Sequence, residues 1–243
     1  MKYFDHVNAG TVEEAIRLLQ SSGGKANVIA GGTDLLGMLK DRVLPEYPET
    51  LVNLKTIPDL EYIIEDEKGL KIGALAKLVH MARNPTILEK YGLLAQAAET
   101  VATPQIRNLG TLGGNLCQDV RCLYYRYPHQ IGGRILCKRK GSGPCLAVKG
   151  DNRYSAIMGG KGCFAACPSD MAVALASLNA EIQIAGSQRD RSVPMEDFYT
   201  PLGNVLGTDE IVTECRIKPP AKGERGVFLK FRQREAIDFA IVS

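Results

Sequence analysis

The chain has 243 residues, 30 basic and 27 acidic, for a net charge of +3, and it lacks tryptophan. So mild a charge gives nucleic-acid binding little support, and no stretch approaches the roughly 20 apolar residues that cross a bilayer. The opening Met1-Lys2-Tyr3-Phe4-Asp5-His6 has no apolar run of the signal-peptide kind, so the chain reads as cytosolic, with length for one large domain or two to three small ones.

In chain order, a compact α/β unit is expected over residues 1–55. Thr11 followed by Glu14 makes a capping box, and Val12, Ala15, Ile16 and Leu19 share one helical face. Ser21-Ser22-Gly23-Gly24 ends that helix. Asn27 to Ala30 reads as a short buried strand, Thr33 or Asp34 begins the next helix, and Leu51 to Leu54 forms another strand. A second unit, 56–188, opens with a hairpin of Leu60–Ile64 and Gly69–Gly73 about a charged turn. Helices over 78–83 and 87–100 follow, then a helix capped by Ser169 and a strand over 180–185. A third unit, 189–243, is expected to hold strands near 210–217 and 226–232. It ends on the apolar run Phe239 to Val242, which reads as a domain cut short.

Two glycine-rich stretches carry the most information: Ala30-Gly31-Gly32-Thr33-Asp34-Leu35 and Gly110-Thr111-Leu112-Gly113-Gly114-Asn115-Leu116. Each offers consecutive backbone N–H groups beside a hydroxyl residue, a concavity suited to phosphate oxygens. Neither matches the dinucleotide fingerprint G-x-G-x-x-G or the phosphate loop G-x-x-x-x-G-K-[ST]. A Gly-Gly pair alone is also a common turn. Two loops that share Gly-Gly and a hydroxyl suggest closure on one pyrophosphate, outside a Rossmann fold, with the following helix N-terminus adding partial positive charge.

With Ile106-Arg107-Asn108-Leu109 leading the second loop, and Pro168-Ser169-Asp170-Met171-Ala172 further on, the chain resembles the FAD-binding subunit of the molybdenum hydroxylases. That is the xanthine dehydrogenase, carbon monoxide dehydrogenase and 4-hydroxybenzoyl-CoA reductase group. The likeness runs from Tyr3 to Val242. It implies an α+β architecture in which two subdomains clasp FAD, followed by an incomplete small α/β domain. It also implies flavin contacts from Ile29, Ala30, Gly31, Gly32, Thr33, Asp34, Leu35, Ala74, Thr111, Gly114 and Asn115. Asp170 is implied to accept from a hydroxyl of the dinucleotide, its alternative being charge complementarity at a helix N-terminus. Lys230 matches a basic position beside the flavin ring, its alternative being a solvated lysine.

Six of the seven cysteines crowd into residues 117–167. Cys215, in an alternating stretch, reads as a small buried hydrophobe. Disulfides are not expected in a reducing compartment. Cys122, Cys137, Cys145 and Cys163 are separated by 14, 7 and 17 residues with no C-x-x-C pair, which disfavours zinc without excluding it. Four thiolates from one insertion can hold an iron–sulfur cube, and Arg121, Arg126, Lys138, Arg139 and Lys140 favour thiolate. Buried loop cysteines are the plain alternative. Here too the resemblance decides: some subunits of this family carry a 4Fe–4S cluster in an insertion at this place, here over 117–165. Cys163 is the least certain ligand, with Cys117 and Cys167 in reserve.

His6, His80 and His129 are scattered, and neither a Ser-x-x-Lys nor a Gly-x-Ser-x-Gly motif occurs. No catalytic acid–base set is visible. The resemblance implies a heterotrimeric, FAD-dependent oxidoreductase. Its partners are a molybdopterin-binding large subunit, a small subunit with two 2Fe–2S clusters, and an external carrier such as NAD or ferredoxin. The rival readings are a zinc-stabilised binding module and a self-contained flavin dehydrogenase.

Overall fold

The computed structural model describes all residues, Met1 to Ser243. The first unit is a three-stranded parallel sheet of β1 (Asp5–Asn8), β2 (Ala26–Ile29) and β3 (Thr50–Asn53), with β3 central. Its helices are α1 (Val12–Ser21) and α2 (Leu35–Asp41). Alternation along the strands sends Val52 toward Ala15, Ile16 and Leu19 of α1 and Leu51 toward Leu39 of α2, so a helix covers each face. The capping box forms: Glu14 N donates to Thr11 Oγ1 at 3.1 Å, and Gly10 N donates to the Glu14 carboxylate at 2.6 Å.

The second unit begins with the hairpin β4 (Ile63–Asp66) and β5 (Gly69–Gly73), then α3 (Leu78–Arg83), α4 (Pro85–Lys90), α5 (Gly92–Thr100), α6 (Pro104–Leu109) and α7 (Leu112–Leu116). A short α8 (His129–Gly132) lies in the cysteine-rich insertion, and α9 (Asp170–Ser177) follows it. The remaining strands are β6 (Glu181–Gly186), β7 (Arg191–Pro194), the two-residue pair β8 (Tyr199–Thr200) and β9 (Gly203–Asn204), and β10 (Glu210–Ile217). A five-stranded antiparallel sheet has the order β4-β5-β10-β6-β7. Leu70, Ile72, Ile182, Ile184 and Cys215 pack with the helices in the largest core. Ala185 and Ile211 turn the other way and join the core of α1. The two units therefore share apolar contacts along the line where they meet.

Three features differ from the sequence reading. The helix expected over 87–100 is two helices, because Tyr91 leaves helical geometry (φ −127°, ψ 41°) to bury its ring in the core. Residues 226–232 form no strand. Phe228 N donates to the Gln96 side chain, and Phe231 forms only an isolated bridge with Val242. Finally, β7 and β10, assigned by sequence to a third unit from residue 189, are hydrogen-bonded into the sheet of the second. No helix is long and apolar enough to cross a membrane.

Candidate flavin cleft and cysteine lobe

The first glycine loop leaves the C-terminal end of β2, and the second runs from the C-cap of α6 at Gly110 through the N-cap Thr111 into the short helix α7. Their backbones touch. A Cβ on Gly31 would stand 2.2 Å from the Leu109 carbonyl oxygen, so only glycine permits this approach. Gly32 has φ +69°, a conformation that disfavours a side chain. Lys55 Nζ donates to Ala30 O at 3.0 Å and steadies the first loop, and burial lowers its pKa.

Between the two units lies a cleft of about 460 Å³, within the range of small-molecule sites. It is lined by Ile29, Ala30, Gly31, Gly32, Thr33, Asp34 and Leu35 from the first loop and by Thr111, Gly113 and Gly114 from the second. Ala74 and Leu75, just after β5, close one side. Thr111 Oγ1 accepts from Gly114 N at 3.1 Å, which leaves its hydroxyl proton free to donate. A cleft walled by two glycine stretches, with the hydroxyls of Thr33, Thr111 and Thr208 among its lining, suits a dinucleotide pyrophosphate, so the residues present fit FAD.

Three expected residues lie outside this lining. Asn115 Oδ1 accepts from the Ser169 hydroxyl at 2.6 Å. Asp170 and Lys230 pair with each other at 2.7 Å, their side chains 6% and 2% exposed, and Lys230 also donates to Thr100 O. Burial raises the Asp170 pKa, opposed by the Lys230 ammonium. Sequence reasoning missed Gln118, Asp119 and the stretch around Asn204–Val212, which also line the cleft. Gln118 and Asp119 follow α7 directly, whereas the place of residues 204–212 follows from the long-range pairing of β10, for which no local signal exists. Glu210, at the start of β10, is held by Arg191 through contacts of 2.7 and 2.8 Å, and this hydrogen bonding lowers its pKa.

The four cysteines Cys122, Cys137, Cys145 and Cys163 line one small second cavity, together with Tyr124, Tyr125, Lys138 and Arg139. Cys117 instead lines the flavin cleft, and Cys167 lies near Cys117 and Tyr199. No three Cys, His, Asp or Glu side chains converge closely enough to hold a single ion. The four thiols surround a space rather than meet at a point. Zinc needs sulfur at about 2.3 Å, whereas a cube with iron at alternate corners spreads its four thiolates more widely. Lys140, 5% exposed, lies beside Tyr125, and burial lowers its pKa against the pull of the Cys137 and Cys122 thiols. Residues 121–167 bury only Tyr125, Lys140, Ala147 and Cys163. The lobe's apolar contacts are mainly those of Val120 and Tyr125 with Met38 and Val43 at its root, and four thiols among cations fit an anionic iron–sulfur cluster.

Residues 2–220 match the family model described as the FAD binding domain in molybdopterin dehydrogenase. The chain is 34% identical to the aldehyde oxidoreductase FAD-binding subunit PaoB of Escherichia coli (strain K12), an alignment covering all of this chain and 76% of PaoB. It is 29% identical to the nicotinate dehydrogenase FAD-subunit of Eubacterium barkeri, across all of this chain and 67% of that protein. Among solved structures, carbon monoxide dehydrogenase from Hydrogenophaga pseudoflava superposes with a TM-score of 0.74 at 24% identity, covering 98% of this chain and 67% of that one. Fold, glycine loops and family match agree: the chain belongs to the FAD-binding subunits of the molybdopterin dehydrogenases, the flavin-containing oxidoreductase subunits of molybdenum hydroxylases.

Proposed function

We propose that this chain holds FAD in the interdomain cleft and one 4Fe–4S cluster in the cysteine lobe. It then passes electrons between the 2Fe–2S clusters of a partner subunit and an external carrier. The observation that carries the flavin part is the cleft walled jointly by both glycine loops. The backbone of Gly31–Asp34 and of Gly113–Gly114, with the Thr111 hydroxyl, holds the pyrophosphate. The bound flavin supplies the ability to exchange one or two electrons. What supports the cluster part is the gathering of Cys122, Cys137, Cys145 and Cys163 around one cavity, in a lobe without a hydrophobic core of its own.

The chain's own work is to bind, orient and shield. The buried Asp170–Lys230 pair ties α9 to the segment after β10, and Tyr199 donates to Leu116 O at 2.8 Å, fixing the end of α7 behind the second loop. The substrate of the assembly belongs to a molybdopterin-binding large subunit, with the 2Fe–2S centres on a small one. Co-expression with these subunits and anaerobic purification test the reading. The expected result is a complex that contains molybdenum, FAD and, on this chain, about four irons. A monomer that turns over substrate with FAD alone, or one equivalent of zinc in place of iron, refutes the corresponding part.

A further inference from the structure

The first glycine loop and the cysteine lobe are joined by one charged network. Asp34 Oδ1 is ion-paired with Arg121 Nη2 at 2.9 Å and accepts from Arg126 Nη2 at 2.8 Å, while its Oδ2 accepts from the backbone N of Asp119 at 2.9 Å. Asp119 in turn accepts from Arg139 Nη1 at 3.3 Å and from the Tyr125 hydroxyl at 2.6 Å. Both carboxylates line the flavin cleft. Their partners stand beside proposed cluster ligands: Arg121 precedes Cys122, Arg126 N donates to Cys122 O at 2.9 Å, and Arg139 follows Cys137 by two residues. The side chains of Asp34, Arg126 and Arg139 are 16%, 17% and 9% exposed, so these pairs are only weakly screened by solvent. The Nε atoms of Arg121 and Arg139 are buried with no acceptor. The lobe brings more positive charge to this junction than the two carboxylates answer.

We propose that Asp34 and Asp119 form a clamp through which filling the cysteine site and binding flavin favour each other, with Asp34 as the positioning residue. The proposal rests on the cluster reading above. A filled cysteine site fixes Cys122 and Cys137. These fix Arg121, Arg126 and Arg139, and the arginines hold the Asp34 carboxylate and with it the backbone that meets the pyrophosphate. Such coupling acts equally in both directions.

The test is a ratio measured on the full chain by flavin fluorescence. It compares the Kd for FAD after chelation has emptied the cysteine site with the Kd after anaerobic reconstitution with iron and sulfide. Wild type is expected at about fivefold or more. Asp34→Asn keeps the shape but removes the charge and should bring the ratio near one with iron still bound. If the variant loses FAD affinity equally in both states, its ratio stays at the wild-type value. Asp34 is then merely structural and the clamp is overturned. Should Asp34→Asn not fold, Tyr125→Phe substitutes for it: a ratio below wild type supports the clamp, and an unchanged ratio overturns it. A wild-type ratio of one with full iron refutes the coupling and leaves the cluster reading standing. Wild type that takes up no iron refutes both.

Discussion

Adding a single methyl group at Gly31 tests whether the two glycine loops act as one site. In Gly31→Ala the new Cβ would stand 2.2 Å from Leu109 O, 2.8 Å from Leu109 C and 3.1 Å from Gly110 Cα. Carbon atoms do not tolerate such contacts, and because the obstacle is backbone no rotamer change relieves them. The loops must part by roughly 1 Å, and overpacking of this kind costs about 1–3 kcal/mol of stability. A displacement of that size breaks at least one hydrogen bond to a charged phosphate, worth about 1.5–3 kcal/mol. The FAD Kd should therefore rise about tenfold to a hundredfold. The assay is titration of the apoprotein with FAD, followed by flavin fluorescence, alongside urea unfolding. Gly37→Ala is the control: it lies in α2 with nothing within 4 Å of the added atom, and should gain about 0.5–1 kcal/mol. If Gly31→Ala binds FAD as tightly as wild type, the pyrophosphate does not lie where these loops meet.

Other outcomes follow from the same geometry. Asp170→Asn leaves the Lys230 ammonium buried without its counter-charge and should cost about 3–5 kcal/mol in urea unfolding. The double change to Asp170→Leu and Lys230→Met should cost much less, and equal losses would refute the ion-pair account. Arg191 hydrogen-bonds Glu210 and lowers its pKa. A depressed carboxylate pKa contributes stability that is present above its unfolded value and lost as pH falls through the folded one. The stability gap between wild type and Arg191→Met should thus shrink between about pH 6 and pH 3; a constant gap would contradict the pair. Cys145→Ser should lower iron content and open the lobe to trypsin near Lys149 and Arg153. Cys215→Ser, in the middle of β10 and 1% exposed, should lower stability with iron unchanged; iron loss in that variant would misplace the ligand set.

Much of the site was legible because its parts are local. A Gly-Gly beside a hydroxyl reports a backbone that meets something closely, and residues 29–35, 111 and 114 do line one cleft. The capping box of Thr11 with Glu14 and the Ser169 cap of the later helix were equally local, and both form. What sequence hid was long-range. That β10 runs between β5 and β6 rather than opening a third unit depends on partners more than one hundred residues apart in the case of β5. The Asp170–Lys230 contact joins positions sixty apart, and periodicity carries no trace of it. Asp34 looked like part of a phosphate loop, yet its carboxylate faces two arginines from the insertion. The extended look of residues 226–232 came from apolar content alone, and a strand requires a neighbour.

The cysteine lobe shows how an insertion can be carried without a core. Its backbone turns at Gly141 (φ +90°), which ends the turn Lys138–Lys140 in a conformation that disfavours a side chain. Its helical elements are single turns, far too short to be stable alone. Hydrophobic burial therefore supplies little, and the lobe's cysteines are free thiols rather than disulfides. Two resources remain: the carboxylates of Asp34 and Asp119, which hold the lobe's arginines at its root, and the four thiols around its cavity. Ligand binding in such a lobe is folding free energy. On the proposed reading, filling the cysteine site would add order to an insertion built this way, and the arginines at its root would carry part of that order to the first glycine loop.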